Sequence, residues 1–392
     1  MANARRTAWR GVVTVIGGGM GAARVPTRVL MILDTFSFGG AENLVAELAR
    51  CASGSLEISA ASLAPQEPDR DAMAGRLAEA GLDPQYLTVR RLLDPTGLMK
   101  LVATLRRSAA DVVHAHLDYS ATVVPLAARL AGKPVVATLH VSPQRDAGWR
   151  TRLKERLSVR IPARFGRLVF VSRHIYDEYA RLHGPARPTW RVIPNGVDLD
   201  RYTVGGGGHN ETGPVWAMVA AMRPDKNHRD LITAWAAVVA RHPDATLLIV
   251  GDGPTRSATE AAVTNAGLDG AVRFLGRRED VPAILGRVDG VVSASVDEAL
   301  PTALIEAGAC GLPVVAADAG GTREIVVDGL NGRLVPVRDV PALTEALLSV
   351  IENPERAAEY GKAARARVEE MYSVPVWVER LEALYAEVIG ER

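Results

Sequence analysis

Only two of the 392 residues are cysteine, Cys51 and Cys310. A disulfide framework and a cysteine-built metal cluster are therefore excluded, and a reducing, cytoplasmic setting is expected. No apolar run approaches the ~18 residues that a membrane span needs. The 36 glycines and 23 prolines follow no fixed period, which excludes collagen and repeat arrays. Net charge is also nearly absent, at +1. What remains is 48% hydrophobic and 23% charged, the composition of a globular chain. At roughly 100–200 residues per domain, two or three domains are expected.

The small net charge hides an asymmetry. Residues 1–200 carry 27 Lys/Arg against 18 Asp/Glu, and residues 201–392 carry 19 against 27. Either the basic half meets something anionic, a membrane surface or a phosphorylated substrate, or the two halves complement each other. A nucleic-acid partner is not expected.

The first 25 residues imitate two signals. Arg5, Arg6 and Arg10 precede an apolar stretch, but Gly17, Gly18, Gly19 and Gly21 interrupt it. Gly17, Gly19 and Ala22 also spell a dinucleotide fingerprint. That fingerprint must open a helix, and Pro26 follows within four residues. Residues 1–25 are read as an extension outside the folded domains.

From residue 28 on, short apolar runs alternate with amphipathic segments. Strands are expected at 29–33, 56–62, 85–89, 111–115, 135–139, 167–171 and 191–193. Continuous Val/Leu/Ile runs mean strands buried on both faces, and helices between them mean parallel crossovers. A turn and a glycine-rich stretch follow at 195–212. Strands then restart at 215–220, 245–250, 272–275, 290–293 and 313–316, with helices at 227–241, 256–266, 280–286 and 301–309. The class is α/β, with two Rossmann-like doubly wound domains facing across a cleft. Ligands of such sheets bind beyond the carboxyl ends of the strands.

The densest chemistry lies at 295–322. Glu298 and Glu306 are eight residues apart, which in one continuous helix is ~12 Å. Pro301 between them favours a first helical turn. Glu298 then sits on the loop after strand 290–293, where it can accept hydrogen bonds from sugar hydroxyls. Glu306 falls in the second turn and can hold a ribose diol. The backbone N–H groups from Leu300 to Ala303, of which Pro301 has none and Thr302 has one, open the helix, where a phosphate can dock. Arg223 and Lys226 stand three apart at another strand-to-helix junction, so one turn can present both. A planar fork and a point charge both suit phosphate oxygens.

These residues carry a family resemblance. The chain from Arg28 onward resembles the retaining glycosyltransferases of the GT-B fold, family 4. Gly39-Gly40-Ala41-Glu42, Arg223 with Lys226, Gly251-Asp252-Gly253-Pro254, Phe274-Leu275-Gly276, Glu298 through Glu306, Gly320 to Glu324 and Gly329 to Gly332 occur in the family's order. One departure stands out: the residue after the first glutamate is usually Gly, and here it is Ala299.

A cytoplasmic enzyme is expected, with peripheral contact to the inner face of the plasma membrane through its basic first half; the resemblance implies the activity of this enzyme. It moves a sugar from a nucleotide-diphosphate donor, UDP favoured over GDP, to an acceptor hydroxyl. Cell-envelope glycan, polysaccharide or glycolipid synthesis is the expected setting, with no cofactor or obligatory metal. His140, Arg223, Lys226 and Glu298 are the implied catalytic residues. Gly40, Gly251, Gly253, Glu298, Leu300, Pro301, Thr302 and Glu306 would bind the donor. Gly39, Gly40, Glu42 and His116 would bind the acceptor. The domains are expected at 26–200 for the acceptor and 201–375 for the donor, with helix 376–392 packing back on the first. A sugar phosphorylase, a nucleotide-sugar epimerase and a non-catalytic sugar-nucleotide binder share the architecture.

Three features have two readings. His114 and His116 share one face of a strand end and His140 ends the next, so they are either metal ligands or ordinary strand-end histidines. Asp198-Leu199-Asp200 spells the metal triad of another glycosyltransferase fold but reads better as a turn. Residues 145–173 hold nine Lys/Arg among Trp149, Leu153, Leu157 and Ile161. That pattern is either a membrane-surface helix or a solvated one packed on its domain.

Overall fold

The computed structural model describes residues 25–37, 40–52, 54–67, 71, 73–89, 95–144, 148–205 and 212–391. Gly39, residues 206–211 of the linker and all of the expected extension except Val25 lie outside them.

The first sheet holds β1 (Thr27–Leu33), β2 (Leu56–Ser62), β3 (Gln85–Tyr86), β4 (Val112–His116), β5 (Val135–Leu139), β6 (Arg167–Phe170) and β7 (Trp190–Val192). The second holds β8 (Val215–Val219), β9 (Thr246–Val250), β10 (Val272–Gly276), β11 (Gly290–Ser293), β12 (Val314–Ala317) and β13 (Arg333–Val335). Around the first run α1 (Gly40–Cys51), α2 (Ala74–Glu79), α3 (Pro95–Arg107), α4 (Asp118–Ala131), α5 (Trp149–Phe165) and α6 (Arg173–His183). Around the second run α7 (His228–Arg241), α8 (Arg256–Asn265), α9 (Val281–Leu285), α10 (Thr302–Ala309), α11 (Thr322–Ile325), α12 (Val340–Ile351) and α13 (Pro354–Met371). A last helix, α14 (Val374–Gly390), follows.

All pairings within the two sheets are parallel. The orders are β3-β2-β1-β4-β5-β6-β7 and β10-β9-β8-β11-β12-β13. Each order reverses direction once, between β1 and β4 and between β8 and β11. Those switch points open the crevices in which such sheets bind ligands. The Val-rich central strands β4, β5, β11 and β12 are buried along their whole length, because helices cover both faces.

The chain passes between the sheets twice, at one place. Val197 N–H donates to Tyr372 O (2.8 Å), and Val374 N–H donates to Val197 O (3.1 Å). From there α14 returns to the first sheet. Its Trp377, Leu381, Leu384 and Tyr385 join the core formed by β1, β2 and α1.

Two expectations need correction. Residues 85–89 shrink to the two-residue edge strand β3, and the three-residue β13 was not anticipated. Pro301 does not lie inside α10. It caps it in an extended conformation (ψ 91°), so the helix opens on Thr302. Within the basic stretch 145–173, α5 ends at Phe165 and β6 begins at Arg167, where a strand was expected.

Candidate active site

The loop after β11 carries Glu298 into the crevice. Gly321 N–H donates to Glu298 O (2.8 Å), and Ser172 of the first domain donates its Oγ–H to Ala299 O (2.5 Å). Gly320 sits at φ +53°, and a Cβ there would lie 2.1 Å from Glu298 O. Only glycine permits that approach, which holds the Glu298–Ala299 backbone in place.

The facing loop follows β8. Pro224–Lys226 form a single 3-10 turn, and Asn227 closes it at φ +52° with its amide on Asp230 (2.7 Å). Val296 N–H donates to Asp225 O (2.8 Å), which ties the two loops together. Lys226 Nζ meets Glu298 Oε1 at 2.7 Å, with both side chains almost buried at 13% and 12% exposure. The structure thus joins two predicted residues, one expected on diphosphate and one on sugar. Arg223 stands apart. Its guanidinium forks onto Asp225 (3.0 and 2.7 Å) and is mostly exposed.

A cavity of about 310 Å³ lies between the domains, and neither Lys226 nor Glu298 is among the residues that line it. Gly251, Thr302, Ala303 and Glu306 line it from the second domain, and Glu47 and Arg76 from the first. Gly251 adopts φ +141°, and a Cβ there would sit 1.9 Å from Ala220 O, so two strand ends meet backbone to backbone. Gly253 packs behind it against Met222, while Leu300 and Pro301 are buried. Burial pushes the Glu306 carboxyl up to about 8, the negative charge of Glu47 adds to this, and the Tyr202 hydroxyl opposes it. Glu47 is itself raised by burial, although Asp198 N–H donates to it (2.8 Å).

Glu47, Arg76 and Tyr202 were missed in the sequence. One signal was available for Glu47: it shares the apolar face of α1 with Leu44 and Leu48.

On the first-domain side Gly40 opens α1, and Glu42 is buried in its first turn. Burial, with nearby Asp34 adding, pushes the Glu42 carboxyl up to about 7. Asp34 follows β1 and accepts the N–H groups of Tyr119 (3.2 Å) and Ser120 (2.6 Å) at the start of α4.

The three histidines form one stack. His114 is fully engaged, by Tyr385 OH at Nδ1 and Thr138 Oγ1 at Nε2 (2.7 Å each). His116 meets Met31 Sδ at 3.3 Å and His140 Nε2 at 3.0 Å. Burial pulls His140 down to about 4 and His114 to about 3, so both are neutral at pH 7. Among the described residues no group of three or more His, Cys, Asp and Glu is placed to hold a metal. Two residues beyond His140, Ser142 Oγ bridges the cleft to Asp297 (3.0 Å). Asp198 accepts Asp200 N–H (3.0 Å), which makes the Asp-Leu-Asp segment a turn.

Residues 38–201 match the family described as Glycosyltransferase Family 4, and residues 205–367 match Glycosyl transferases group 1. A Corynebacterium glutamicum protein named GDP-mannose-dependent monoacylated alpha-(1-6)-phosphatidylinositol monomannoside mannosyltransferase is 31% identical over 73% of this chain and 81% of its own. The chain belongs to glycosyltransferase family 4. This transferase is also 26% identical to an Escherichia coli UDP-Gal:alpha-D-GlcNAc-diphosphoundecaprenol alpha-1,3-galactosyltransferase, over 76% of this chain and 80% of the other. Its GT-B fold superposes on Anabaena Alr3699/HepE, solved in complex with UDP and glucose. The TM-score is 0.79 at 23% identity, covering 93% and 99% of the two chains. The transferase therefore uses a sugar-nucleotide donor, and its relatives divide between GDP and UDP. No helix among its described residues is long and apolar enough to cross a membrane.

Proposed function

We propose that this glycosyltransferase transfers a sugar with retention from a UDP-sugar, in preference to a GDP-sugar, to an acceptor hydroxyl. The carrying observation is the almost buried Lys226–Glu298 contact, on loops beyond the strand ends of the same domain whose Gly251, Thr302 and Glu306 line the interdomain cavity. Breaking a sugar–phosphate bond builds negative charge on the leaving diphosphate. Lys226 supplies a fixed cation there, with Arg223 at the same junction, and such stabilisation is commonly the largest catalytic contribution. Glu298 would then take the sugar hydroxyls, Glu306 the ribose diol, and Gly251 with Thr302 the walls of the nucleotide pocket. Glu42, Gly40 and His116 stand on the acceptor side. Front-face transfer uses these cations in place of an obligatory metal, and the UDP-bound neighbour supports the donor preference.

The test is an NMR time course with UDP- and GDP-sugars and hydroxylated acceptors such as simple sugars and glycolipids. The expected result is an α-linked product from an α-linked UDP donor, at the same rate with and without EDTA. A β-linked product, or loss of activity with EDTA, contradicts the mechanism.

We also infer peripheral contact with an anionic membrane face, which fits a glycolipid, polysaccharide or cell-envelope acceptor. The buried face of α5 is Glu155, Ser158, Val159, Pro162 and Ala163. Trp149 and Leu153 are therefore left 71% and 48% exposed, beside Arg152, Arg156 and Arg160. The protein should co-sediment with anionic vesicles at low salt and be released as salt shortens the ~10 Å screening length. Trp149→Ala with Leu153→Ala should weaken that binding. Equal binding to zwitterionic vesicles contradicts the inference.

A further inference from the structure

The histidine stack contains a direction. Met31 Sδ carries no hydrogen, so at 3.3 Å from His116 Nε2 it can only accept. The His116 ring is buried, its nearest titratable groups are His114 and His140, and desolvation keeps it neutral. A neutral imidazole has one donor and one acceptor. With the proton on Nε2, His116 Nδ1 is the acceptor, and His140 Nε2, 3.0 Å away, must donate to it. The opposite arrangement would set the His116 lone pair against those of the thioether. His140 Nδ1 is then left unprotonated. It meets no partner among the described residues, His140 as a whole is only partly buried, and it directly follows β5, two residues before the cleft-bridging Ser142.

We propose that Met31 and His116 are positioning residues that hold His140 as the Nε2–H tautomer, so that it presents a bare Nδ1 to the cleft. His140 therefore accepts a hydrogen bond from a hydroxyl of the bound sugar or acceptor and does not donate to a phosphate oxygen. The role of this hydroxyl in transfer rests on the transferase reading above, whereas the tautomer itself does not.

The experiment is long-range 1H–15N correlation on histidine-labelled protein at pH 7, with His140 assigned from the spectrum of His140→Gln. The expected spectrum shows His140 protonated at Nε2 only. In Met31→Leu, a volume-conserving change, the His140 signals should shift toward a tautomer average. His116→Gln moves the polar group away from the Nδ1 position and should lower kcat about tenfold, the scale of one lost hydrogen bond. His116→Asn puts its amide oxygen where Nδ1 stood and should recover most of that loss. UDP affinity should be equal in all three variants and in wild type.

An Nδ1–H tautomer or an imidazolium at His140 overturns the proposal. So does a Met31→Leu spectrum with His140 unchanged, or a wild-type kcat in His116→Gln. Absence of any UDP or GDP binding would instead strike the function proposed above and leave the tautomer result standing.

Discussion

Lys226→Ala is expected to cut turnover by about 10²- to 10³-fold, the cost of removing one preorganised group aimed at developing charge. The geometry concentrates that effect on Lys226. Its ammonium is almost buried, where a charge acts at lower effective dielectric than in water. Arg223 is mostly exposed and already forked onto Asp225, so Arg223→Ala should cost less, about tenfold. The Lys226 variant carries a second consequence. It leaves Glu298 nearly buried without its cation, and breaking such a pair costs about 3–5 kcal/mol when fully buried. Adding Glu298→Gln should recover much of the lost stability and none of the lost turnover. Thermal unfolding and initial rates on the single and double variants separate the two effects. A Lys226→Ala enzyme with wild-type kcat would remove Lys226 from the diphosphate site.

Glu306→Gln should raise the melting temperature and weaken nucleotide binding together. The folded carboxyl titrates near 8, against about 4.5 in the unfolded chain. Below pH 4.5 both states hold the proton, and the group does not bias folding. Between 4.5 and 8 the unfolded chain ionises first, so stability falls with rising pH and levels off above 8. Glutamine cannot ionise, so the variant should gain about 2–4 °C at pH 8 for each kcal/mol of relief, and little at pH 4.5.

The ligand reverses the preference. A ribose diol donates two hydrogen bonds, which only the carboxylate can accept in full. Wild-type UDP affinity should therefore rise from pH 6 toward pH 8, by up to about tenfold per unit. The Gln variant should bind about 10- to 100-fold more weakly, the scale of hydrogen bonds to a charged group, with no such slope. Parallel pH slopes in both proteins would take Glu306 off the ribose.

The two sheets were legible because their central strands are short Val-rich runs without charged residues, as in 135–139 and 290–293, and a glycine-rich break separates the two series. Edge strands carried little signal. Residues 333–335 are too short for a hydrophobic pattern, and 85–89 pairs through only two residues. At the site, the loop position of Glu298 and the second-turn position of Glu306 followed from Pro301 alone. The contact of Glu298 with Lys226 did not, because 72 residues separate them and a backbone bridge between two loops brings them together. Glu47 and Arg76 lie in one domain and line the other domain's pocket, an adjacency set by tertiary packing with no local pattern. The exposure of Trp149 and Leu153 was equally hidden, since which face of a basic helix packs inward depends on its neighbours.

The central claim is that the interdomain cavity lined by Gly251, Thr302 and Glu306 binds a nucleoside diphosphate. Calorimetric titration of the wild-type protein with UDP and with GDP, at pH 8 and with EDTA present, tests it most directly. The account predicts one site per chain, tighter for UDP, and about 10- to 100-fold weaker in Glu306→Gln. No binding of either nucleotide, or binding that Glu306→Gln leaves untouched, would contradict it.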